Sequence, residues 1–402
     1  MAHHLIALTL VVTCGIYLEE QMMFRVGMTS LLLWTLTAAA HAQTGPVGPV
    51  STSTEQPGGK ISYATARPKP LPIAQGYTDA DASKALQGSA PQEQRIPGLQ
   101  AGAIGTGKPS TPGLRSPVSK ARENLPEAPA QVDFGTSGLP FSTARADLKP
   151  NATNDQYPYS AAGKLFFNES GESYICSASL IKPGLVITAA HCVAKFGSNQ
   201  YYSDWEFHPG YRDGISPFGK WTVKKAYALK SYLDGSDSCK VAGVVCKDDV
   251  AVLVLVPQKN SYPGKRTGWF AFAWNGGGFT PQRITHLTQL GYPACLDNAG
   301  YMQRNDSQGA VDSANVDNTI IGSLMCGGSS GGPWIMNFGV QPALTGTQFG
   351  SAPTPNTIIG VTSWGSTNNA VKWMGASPFV AENVKKLVDA ACNDYAPACL
   401  EN

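Results

Sequence analysis

Short apolar runs separated by turn residues mark the chain from about residue 156 onward. The runs are rich in Val, Ile and aromatic side chains, and no long amphipathic helix interrupts them. Runs of this length at close spacing are typical of strands in a β-sandwich or β-barrel. The pattern therefore predicts an all-β domain over residues 151–402. The clearest of its strands are expected at residues 163–167, 174–181, 185–187, 250–256 and 357–359.

The residues after 376 follow a different period. Apolar side chains recur there at intervals of three and four residues, as one face of an α-helix requires. Ser377 is a suitable N-cap and Pro378 a suitable first helical residue. We therefore expect a C-terminal helix that packs on the β-strands. Its apolar face is Val380, Val384, Leu387, Val388 and Ala391.

The amino-acid composition is different between residues 43 and 150. It is rich in Pro, Gly, Ser, Thr and Ala, contains few aromatic residues and shows no sustained period. Such a segment buries too little apolar surface to offset the entropy that is lost on ordering. We interpret it as a disordered, low-complexity linker or a pro-segment, two alternatives that composition does not separate.

Residues 1–42 have the organisation of a signal peptide. Arg25 precedes the apolar run Leu31–Leu36, and Ala40–Ala42 matches the A-x-A cleavage pattern. The apolar runs of this region are shorter than the roughly 20 residues that a spanning helix needs. We therefore expect export without a stable membrane span. The acidic pair at 19–20 also suggests a later translation start, for which the candidates are Met22, Met23 and Met28.

Charge and cysteine content narrow the class of protein. The net charge is only +2 and charged residues are 14% of the chain, which excludes the basic footprint of a nucleic-acid-binding protein. Eight of nine cysteines follow residue 170, and an even set in one domain predicts four disulfides in an extracellular or periplasmic compartment. No Cys-x-x-Cys or HExxH pattern predicts a metal site. The eight are Cys176, Cys192, Cys239, Cys246, Cys295, Cys326, Cys392 and Cys399.

Three separated segments carry the parts of a nucleophilic hydrolase. A serine hydroxyl needs an adjacent base, and the base needs an orienting group. His191 is the candidate base, and Cys192 beside it can pair with Cys176. The orienting carboxylate is Asp248 or Asp249, and the nucleophile is Ser329 or Ser330 within a glycine-rich stretch. The amides of Gly328 and Ser330 can form an oxyanion hole in such a loop.

Over about residues 157–392 the chain resembles the chymotrypsin/trypsin-like serine proteases, in particular the secreted bacterial branch that includes glutamyl endopeptidases. Thr188–Cys192 matches the histidine motif, Asp249 the aspartate segment, and Gly328–Pro333 the serine motif at all but one position. Gly360–Gly365 resembles the segment that pairs with substrate as an added strand. The resemblance implies two six-stranded antiparallel β-barrels, no cofactor, and catalysis by Asp249 and Ser330 rather than by their neighbours.

The resemblance also gives expectations about substrate binding. Ser363, Trp364 and Gly365 are expected to contact the substrate backbone. Leu324 stands where trypsin-like enzymes carry the aspartate that selects Lys or Arg, and Thr362 stands where glutamyl endopeptidases carry a histidine. An apolar or small substrate side chain is therefore expected.

The chain departs from the family pattern in its activation and in its disulfides. Ser329 replaces the aspartate that pairs with a newly cut N-terminus in the digestive enzymes, and no Ile-Val-Gly-Gly-like start stands near residue 150, so that route of activation is not expected. The usual partner of Cys326 is absent. We expect the pairs Cys295–Cys326, Cys239–Cys246 and Cys392–Cys399.

The order of the three candidates along the chain separates the functional alternatives. Histidine, aspartate, then serine fits an exported serine endopeptidase that acts on protein or peptide through an acyl-enzyme. Hydrolases with a nucleophile elbow place serine first and histidine last, the opposite order. The second hypothesis is a catalytically inactive, protease-like binding protein, which would usually have lost a member of the triad. The sequence carries no signal of the oligomeric state.

Overall fold

The computed structural model of the chain describes the larger part of residues 49–400. Its described residues lie in the second of two compact units of the chain, Pro46–Asn402. The expected signal peptide, Cys239, Cys246 and Pro378 fall outside them. The described ranges are 49–56, 62–72, 80, 97–107, 141–147, 153–237, 247–280, 283–311, 319–339, 354–365, 372–377 and 379–400.

Strands dominate these ranges. They are β1 (Val50–Thr52), β2 (Arg67–Pro68), β3 (Gly98–Gln100), β4 (Phe141–Arg145), β5 (Ala162–Glu169), β6 (Glu172–Lys182), β7 (Leu185–Thr188), β8 (Ala194–Lys195), β9 (Gln200–Tyr201), β10 (Ser203–Pro209), β11 (Trp221–Leu229), β12 (Ala251–Leu255), β13 (Ala271–Trp274), β14 (Ile284–Gly291), β15 (Gln303–Val311), β16 (Thr319–Gly322), β17 (Pro333–Met336), β18 (Thr357–Gly365) and β19 (Trp373–Ala376). The α-helices are α1 (Lys230–Leu233), α2 (Gly264–Thr267) and α3 (Lys386–Asp394).

Two closed barrels account for most of the strands. In the first barrel the strands follow the order β11-β10-β5-β6-β7-β12, and β12 pairs with β11 to close the ring. In the second barrel the order is β17-β14-β15-β16-β19-β18, and β17 pairs with β18. All of these pairings are antiparallel, so the fold predicted from the sequence, two six-stranded antiparallel β-barrels with a C-terminal helix, is confirmed.

Strand β12 illustrates why some runs are apolar throughout. Successive side chains of a strand point to opposite faces. Leu253 and its alternate neighbours lie in the core of the first barrel, whereas Val252 and Val254 lie in a second core on the outer face. That outer core also contains Leu387 and Val388 of α3. Because the helix covers the outer face, both faces of β12 exclude water, and the strand has no polar alternation.

The C-terminal helix begins later than the sequence pattern indicated. A π-helical turn, Ala381–Lys385, precedes α3, and its N-cap is Val380 rather than Ser377. The side chain of Asn383 accepts a hydrogen bond from the Val380 backbone N–H at 2.9 Å, which satisfies a donor that the helix cannot. The face that packs on the barrel is the predicted one. No helix in the described ranges is long and apolar enough to cross a membrane.

Parts of residues 43–150 add edge strands to both barrels. β1 pairs with β11 and β2 with β6, whereas β3 pairs with β13 and β4 with β15. Each has five residues or fewer. Such short strands carry little pattern of their own and are held by the partner strand. The described stretches of this region therefore contribute structure that low-complexity composition did not predict.

Candidate active site

Strand register brings His191 and Asp249 to the same end of the first barrel. Strands β7 and β12 are antiparallel, with Thr188 opposite Ala251. His191 lies three residues after Thr188, in a 3-10 turn, and Asp249 lies two residues before Ala251. Since antiparallel neighbours run in opposite directions, the end of one strand faces the start of the other. The two buried strands therefore hold the two side chains together.

Asp249 makes two hydrogen bonds to His191. One carboxylate oxygen, Oδ2, lies 2.8 Å from ring Nδ1, and the other, Oδ1, accepts the backbone N–H of His191 at 2.8 Å. Asp249 is 1% exposed and His191 5%. An ionised carboxylate only accepts, so Nδ1 carries the proton and Nε2 is the free acceptor. The geometry orients one ring nitrogen for proton transfer.

The neighbouring carboxylate, Asp248, points elsewhere. Its Oδ2 accepts a hydrogen bond from the Ser231 hydroxyl at 2.5 Å. Its backbone N–H donates to Asp237 at 2.8 Å. Of the two aspartates that the sequence left open, Asp249 is the one that contacts His191.

The two serines of the glycine-rich loop also differ in their contacts. The Ser329 hydroxyl donates to the Cys326 carbonyl at 2.6 Å, within its own loop. The Ser330 hydroxyl is buried and has no hydrogen-bond partner among the described residues, and the same is true of His191 Nε2. An unpartnered buried hydroxyl is unusual, because burial without a hydrogen bond is costly. Ser330 is therefore the serine that is available for chemistry.

Ser177 of β6 holds the loop of the second barrel against the first. Its backbone N–H donates to the Ser330 carbonyl at 2.7 Å, and its hydroxyl donates to the Gly328 carbonyl at 2.9 Å. The same hydroxyl accepts the backbone N–H of Tyr292 at 2.9 Å. The Thr188 hydroxyl donates to the Ser177 carbonyl at 2.9 Å. Ser330 is thus fixed next to the strand end that leads to His191.

Two glycines permit this close approach. Gly331 has a φ of +76°, and a Cβ there would lie 2.0 Å from the Thr188 hydroxyl oxygen. Gly328 has a φ of +93°, and a Cβ there would lie 2.6 Å from the Tyr292 carbonyl oxygen. Both positions combine a left-handed backbone with contact against another segment, so only glycine fits.

Three disulfides lie in the described part of the chain. Cys176–Cys192 joins β6 to the turn of His191, and Cys295–Cys326 anchors the loop of Ser330. Cys392–Cys399 closes the end of α3. These are the pairs expected from the sequence. The remaining expected pair, Cys239–Cys246, lies outside the described residues.

A group of three potential metal ligands lies beside the histidine. Donor atoms of Cys176, His191 and Cys192 lie within 4.8 Å of one another. The two sulfur atoms, however, are bonded to each other. A cysteine binds a metal as its thiolate, and a disulfide offers none, so His191 is the only possible ligand left in this group. This group is therefore not a metal site.

Strand β18 reaches the site through Ser363. The Ser363 hydroxyl donates to Asp249 Oδ2 at 2.5 Å, so this carboxylate oxygen is shared with the imidazole. Gly331 donates its N–H to the Thr362 carbonyl at 2.7 Å, which sets the register between the serine loop and β18. Trp364 is fully buried against Gly375. Gly365 follows at the strand end.

Beneath the serine loop lies a buried polar network that the sequence did not reveal. Thr362, fully buried, accepts hydrogen bonds from Gln289 Nε2 at 2.8 Å and Trp334 Nε1 at 3.0 Å. The Ser323 hydroxyl donates to the other end of Gln289 at 2.7 Å. The Thr362 hydroxyl is therefore occupied within the core. Leu324 is half-buried in the loop after β16, and Met325 enters an apolar cluster with Trp334.

Comparison with known families agrees with this arrangement. The sequence model of the family described as Trypsin matches residues 149–390, more than half of the 402 residues. The chain belongs to the trypsin family. The trypsin match begins ahead of β5 and ends within α3, so it spans both barrels and includes His191, Asp249 and Ser330.

Individual relatives of this trypsin-family chain are distant. The serine protease AL20, from an extremophilic microorganism, is 22% identical with a TM-score of 0.47, over 57% of this chain and 96% of AL20. A Glu endopeptidase, solved in complex with MPD, is 18% identical with a TM-score of 0.44, over 62% of this chain and 95% of its own.

One curated relative is matched over a limited region. The extracellular metalloprotease of Bacillus subtilis (strain 168) is 23% identical over 123 residues. This alignment covers 30% of the present chain and 35% of the relative. The chain thus spans about a third of the length of that relative.

Proposed function

We propose that the protein is an exported serine endopeptidase that hydrolyses peptide bonds through an acyl-enzyme, with His191, Asp249 and Ser330 as its catalytic triad. The proposal rests on two side chains that are both prepared for catalysis and lie on adjacent segments. His191 is oriented by Asp249 through Nδ1, and the Ser330 hydroxyl is left unpartnered in a loop docked beside it. Membership of the trypsin family supports the same chemistry.

In the proposed reaction Ser330 Oγ forms a bond to the carbonyl carbon of the peptide, and its proton passes to His191 Nε2. Asp249 stabilises the imidazolium that results and holds its orientation. The amides of Gly328 and Ser330 donate to the oxyanion. When the C–N bond breaks, His191 returns the proton to the leaving amine. Water then attacks the acyl group by the same route, which releases the acid and restores Ser330.

We propose a preference for an apolar or small substrate side chain directly before the scissile bond. Leu324 and Met325 bring no charge to the position where a basic side chain would need an acid. Met325 and Met374 lie in one buried apolar cluster next to the Ser363–Gly365 segment. A library of peptides that differ at one position tests the preference, and fastest cleavage after Lys, Arg or Glu would contradict it.

We also propose that the protein works outside the cytoplasm. Three disulfides in the described part of the chain support an oxidising compartment. Fractionation of the source cells, with detection of the chain by mass spectrometry, tests this location. Recovery only from the cytoplasm in reduced form would contradict it.

A fluorophosphonate probe tests the catalytic assignment directly, since it labels only an activated serine. The wild type is expected to be labelled at Ser330, and Ser330→Ala and His191→Ala to lose labelling. Ser329→Ala is the matched control, because the Ser329 hydroxyl bonds within its own loop. Lys69, which is proposed below to cover the site, is replaced by Ala in one further variant. Absence of labelling in both the wild type and Lys69→Ala would favour the alternative of a catalytically inactive binding protein.

A further inference from the structure

A short segment from the low-complexity region crosses the candidate active site. We name residues Ala66–Leu71 the cleft segment. Its first part forms β2, which pairs with β6 so that Arg67 lies opposite Tyr174 and Pro68 opposite Ile175. The Lys69 N–H then donates to the Ile175 carbonyl at 2.9 Å. The segment therefore adds a strand to the first barrel beside the Cys176–Cys192 disulfide.

From there the cleft segment passes over the serine loop. The Lys69 carbonyl accepts the Gly328 N–H at 3.2 Å. This amide is one of the two that the proposed reaction needs for the oxyanion. Farther along, the Leu71 side chain lies against Gly365, where a Cβ would approach Leu71 Cδ1 to 3.3 Å. The segment thus covers the oxyanion amide and the end of β18 together.

The cleft segment is anchored at its start by burial. Ala66 is fully buried in the core that also contains Val252 and Leu387, and Pro68 is also buried. Just before it, the Tyr63 ring packs on Phe166 with centroids 5.2 Å apart, and the Tyr63 hydroxyl donates to the Asp204 carbonyl. These contacts fix the position of the backbone that follows. The crossing of the site is therefore specified by side chains and is not a chance approach.

The Lys69 side chain occupies a pocket of its own. Its ammonium forms an ion pair with Glu169 and a hydrogen bond of 3.1 Å with the Tyr202 hydroxyl. It also lies 5.0 Å and 4.7 Å from the ring centroids of Tyr174 and Tyr202, where the π-face attracts a cation. The Lys69 side chain is only 14% exposed. Water screens such a pair weakly, so the pocket selects for positive charge.

The neighbouring Arg67 provides an internal comparison. Its side chain is 69% exposed, and its ion pair with Glu172 is 3.6 Å long with the partner 56% exposed. Exposed ion pairs of this kind contribute little to the free energy of folding. The chain therefore carries two basic side chains two residues apart, of which one fills a formed pocket and the other lies on the surface.

We propose that the cleft segment is an internal inhibitor of the active site, and that the Glu169–Tyr174–Tyr202 pocket is a subsite for a cationic side chain. While the segment is bound, the Lys69 side chain fills the subsite. Its backbone carbonyl accepts the Gly328 N–H, which is then not free to bind the oxyanion. Once the segment leaves, the same pocket receives a lysine or arginine side chain of the substrate. The inference rests on the proposed function, because it assigns the cleft to substrate.

The first experiment tests occupancy without requiring catalysis. Hydrogen–deuterium exchange is compared between Ser330→Ala and Ser330→Ala with Lys69→Ala, both as full chains that cannot cleave themselves. We expect the peptides that contain residues 66–71 and Gly328 to exchange about tenfold faster in the double variant, since local opening exposes these amides. Equal exchange would overturn the occupancy. Replacing Arg67 by Ala in the same background is the control, and its exchange should match the single variant.

The second experiment tests inhibition. The rate of labelling by the fluorophosphonate probe is measured for the full-length wild type, Lys69→Ala and Arg67→Ala. Lys69→Ala is expected to react about tenfold faster than the other two, a change that corresponds to about 1.4 kcal/mol. Equal rates in all three would reject the inhibitory role while leaving Ser330 as the proposed nucleophile. If none of them is labelled, the proposed function fails, and the exchange experiment still decides whether the segment occupies the cleft.

The third experiment tests the subsite. A single lysine, or norleucine as its uncharged analogue, is moved through each position on both sides of the scissile bond of a peptide substrate, except the position directly before that bond, which keeps an apolar residue. We expect one position at which lysine raises kcat/KM about tenfold over norleucine, and we expect Glu169→Gln to abolish this difference. Glu172→Gln changes a largely exposed carboxyl on the same hairpin, and its amide oxygen can still accept the Tyr174 hydroxyl, so this variant should retain the difference. No preference for lysine at any position, or a preference that survives Glu169→Gln, would overturn the subsite.

Discussion

At the residue scale, the Ser177 hydroxyl lies at the junction between the two barrels. Ser177→Ala is expected to lower the free energy of unfolding by about 1–3 kcal/mol, because it leaves the Tyr292 N–H and the Gly328 carbonyl without their buried partner. It should also lower kcat, because Gly328 carries a proposed oxyanion amide. Urea unfolding and peptide hydrolysis measure the two effects.

A matched control for this prediction lies two residues away on the same strand. Ser179 is fully buried, but its hydroxyl has no hydrogen-bond partner among the described residues. Ser179→Ala therefore removes a hydroxyl group from the same strand without breaking a hydrogen bond among the described residues. Equal losses of stability and activity in the two variants would show that the bridge between the barrels does not depend on the Ser177 hydroxyl.

The two adjacent aspartates should respond differently to the loss of charge. Asp249→Asn is expected to reduce kcat by about 10⁴-fold with little change in KM, because an amide no longer holds the imidazole in the required tautomer. Asp248→Asn, whose carboxylate bonds to Ser231, should keep kcat within about tenfold of the wild type. Steady-state kinetics on one peptide substrate measures both. A larger effect at Asp248 would reverse the assignment.

How far single residues can be predicted from sequence depends on what surrounds them in the chain. His191, Asp249 and Ser330 stand in motifs whose flanking residues mark them. Ser177 and Gln289 carry no such mark, because their importance comes from partners that lie far away in sequence. Lys69 is similar, since the pocket that it fills is built by residues at least 100 positions later. Only the folded arrangement reveals these roles.

At the scale of elements, helix α3 is joined to the active site through β12. Leu387 is fully buried in the core that covers the outer face of this strand, and Asp249 lies two residues before β12 begins. Asn383 links the helix start to the same loop, since its side-chain amide donates to the Lys247 carbonyl at 3.1 Å. The helix therefore supports the segment that carries the orienting carboxylate.

Removal of the Leu387 side chain tests this support. Leu387→Ala is expected to lower the free energy of unfolding by about 2–5 kcal/mol, the range for a buried leucine that leaves a cavity. Asp389→Ala, on an exposed part of the same helix, breaks only a surface ion pair with Lys385 and should cost less than about 1 kcal/mol. Urea unfolding of both variants gives the comparison. Similar losses would show that α3 does not depend on its apolar face.

Elements were predictable where their own residues determine them. The strand from 250 to 256 and the apolar face of the C-terminal helix have periods that local residues impose, and both were found. The sequence pattern places the N-cap at Ser377, three residues before the observed Val380, because the Asn383 side chain caps the helix from inside it and leaves a weaker signal in the sequence. Strands β1 to β4 were missed because their partners, not their own sequence, determine them.

At the scale of the whole molecule, the two barrels meet around a buried lysine. Lys164 of β5 is fully buried, and its ammonium donates to the Ala299 carbonyl of the second barrel at 2.9 Å. The ring of Tyr211 lies 4.6 Å from it. Burial lowers the pKa of Lys164 from 10.5 to about 7, because the charged ammonium loses its hydration in the folded chain. The stability of the molecule should therefore depend on pH through this group.

The direction of this pH dependence follows from the protonation of Lys164 in the folded and in the unfolded chain. Between pH about 7 and 10.5 the unfolded chain keeps Lys164 protonated, whereas the folded chain has released the proton. Unfolding then takes up a proton, so the free energy of unfolding rises with pH across this window, by at most about 1.4 kcal/mol per pH unit. Below pH about 7 both states are protonated, and the folded state bears the full cost of the buried charge.

Comparison of the wild type with Lys164→Met reports this contribution above pH 7, where the neighbouring His208, whose pKa is lowered from 6.5 by burial and in part by Lys164, is already neutral in the folded chain. Urea unfolding is measured at pH 7, 8, 9 and 10 in the Ser330→Ala background, which prevents self-digestion. We expect the wild type to gain stability relative to Lys164→Met as the pH rises, and the same substitution at the exposed Lys265 to leave the slope of the wild type unchanged. Parallel curves for wild type and Lys164→Met would mean that Lys164 titrates alike in the folded and unfolded chain. The contact between the barrels would then tolerate its charge at no cost.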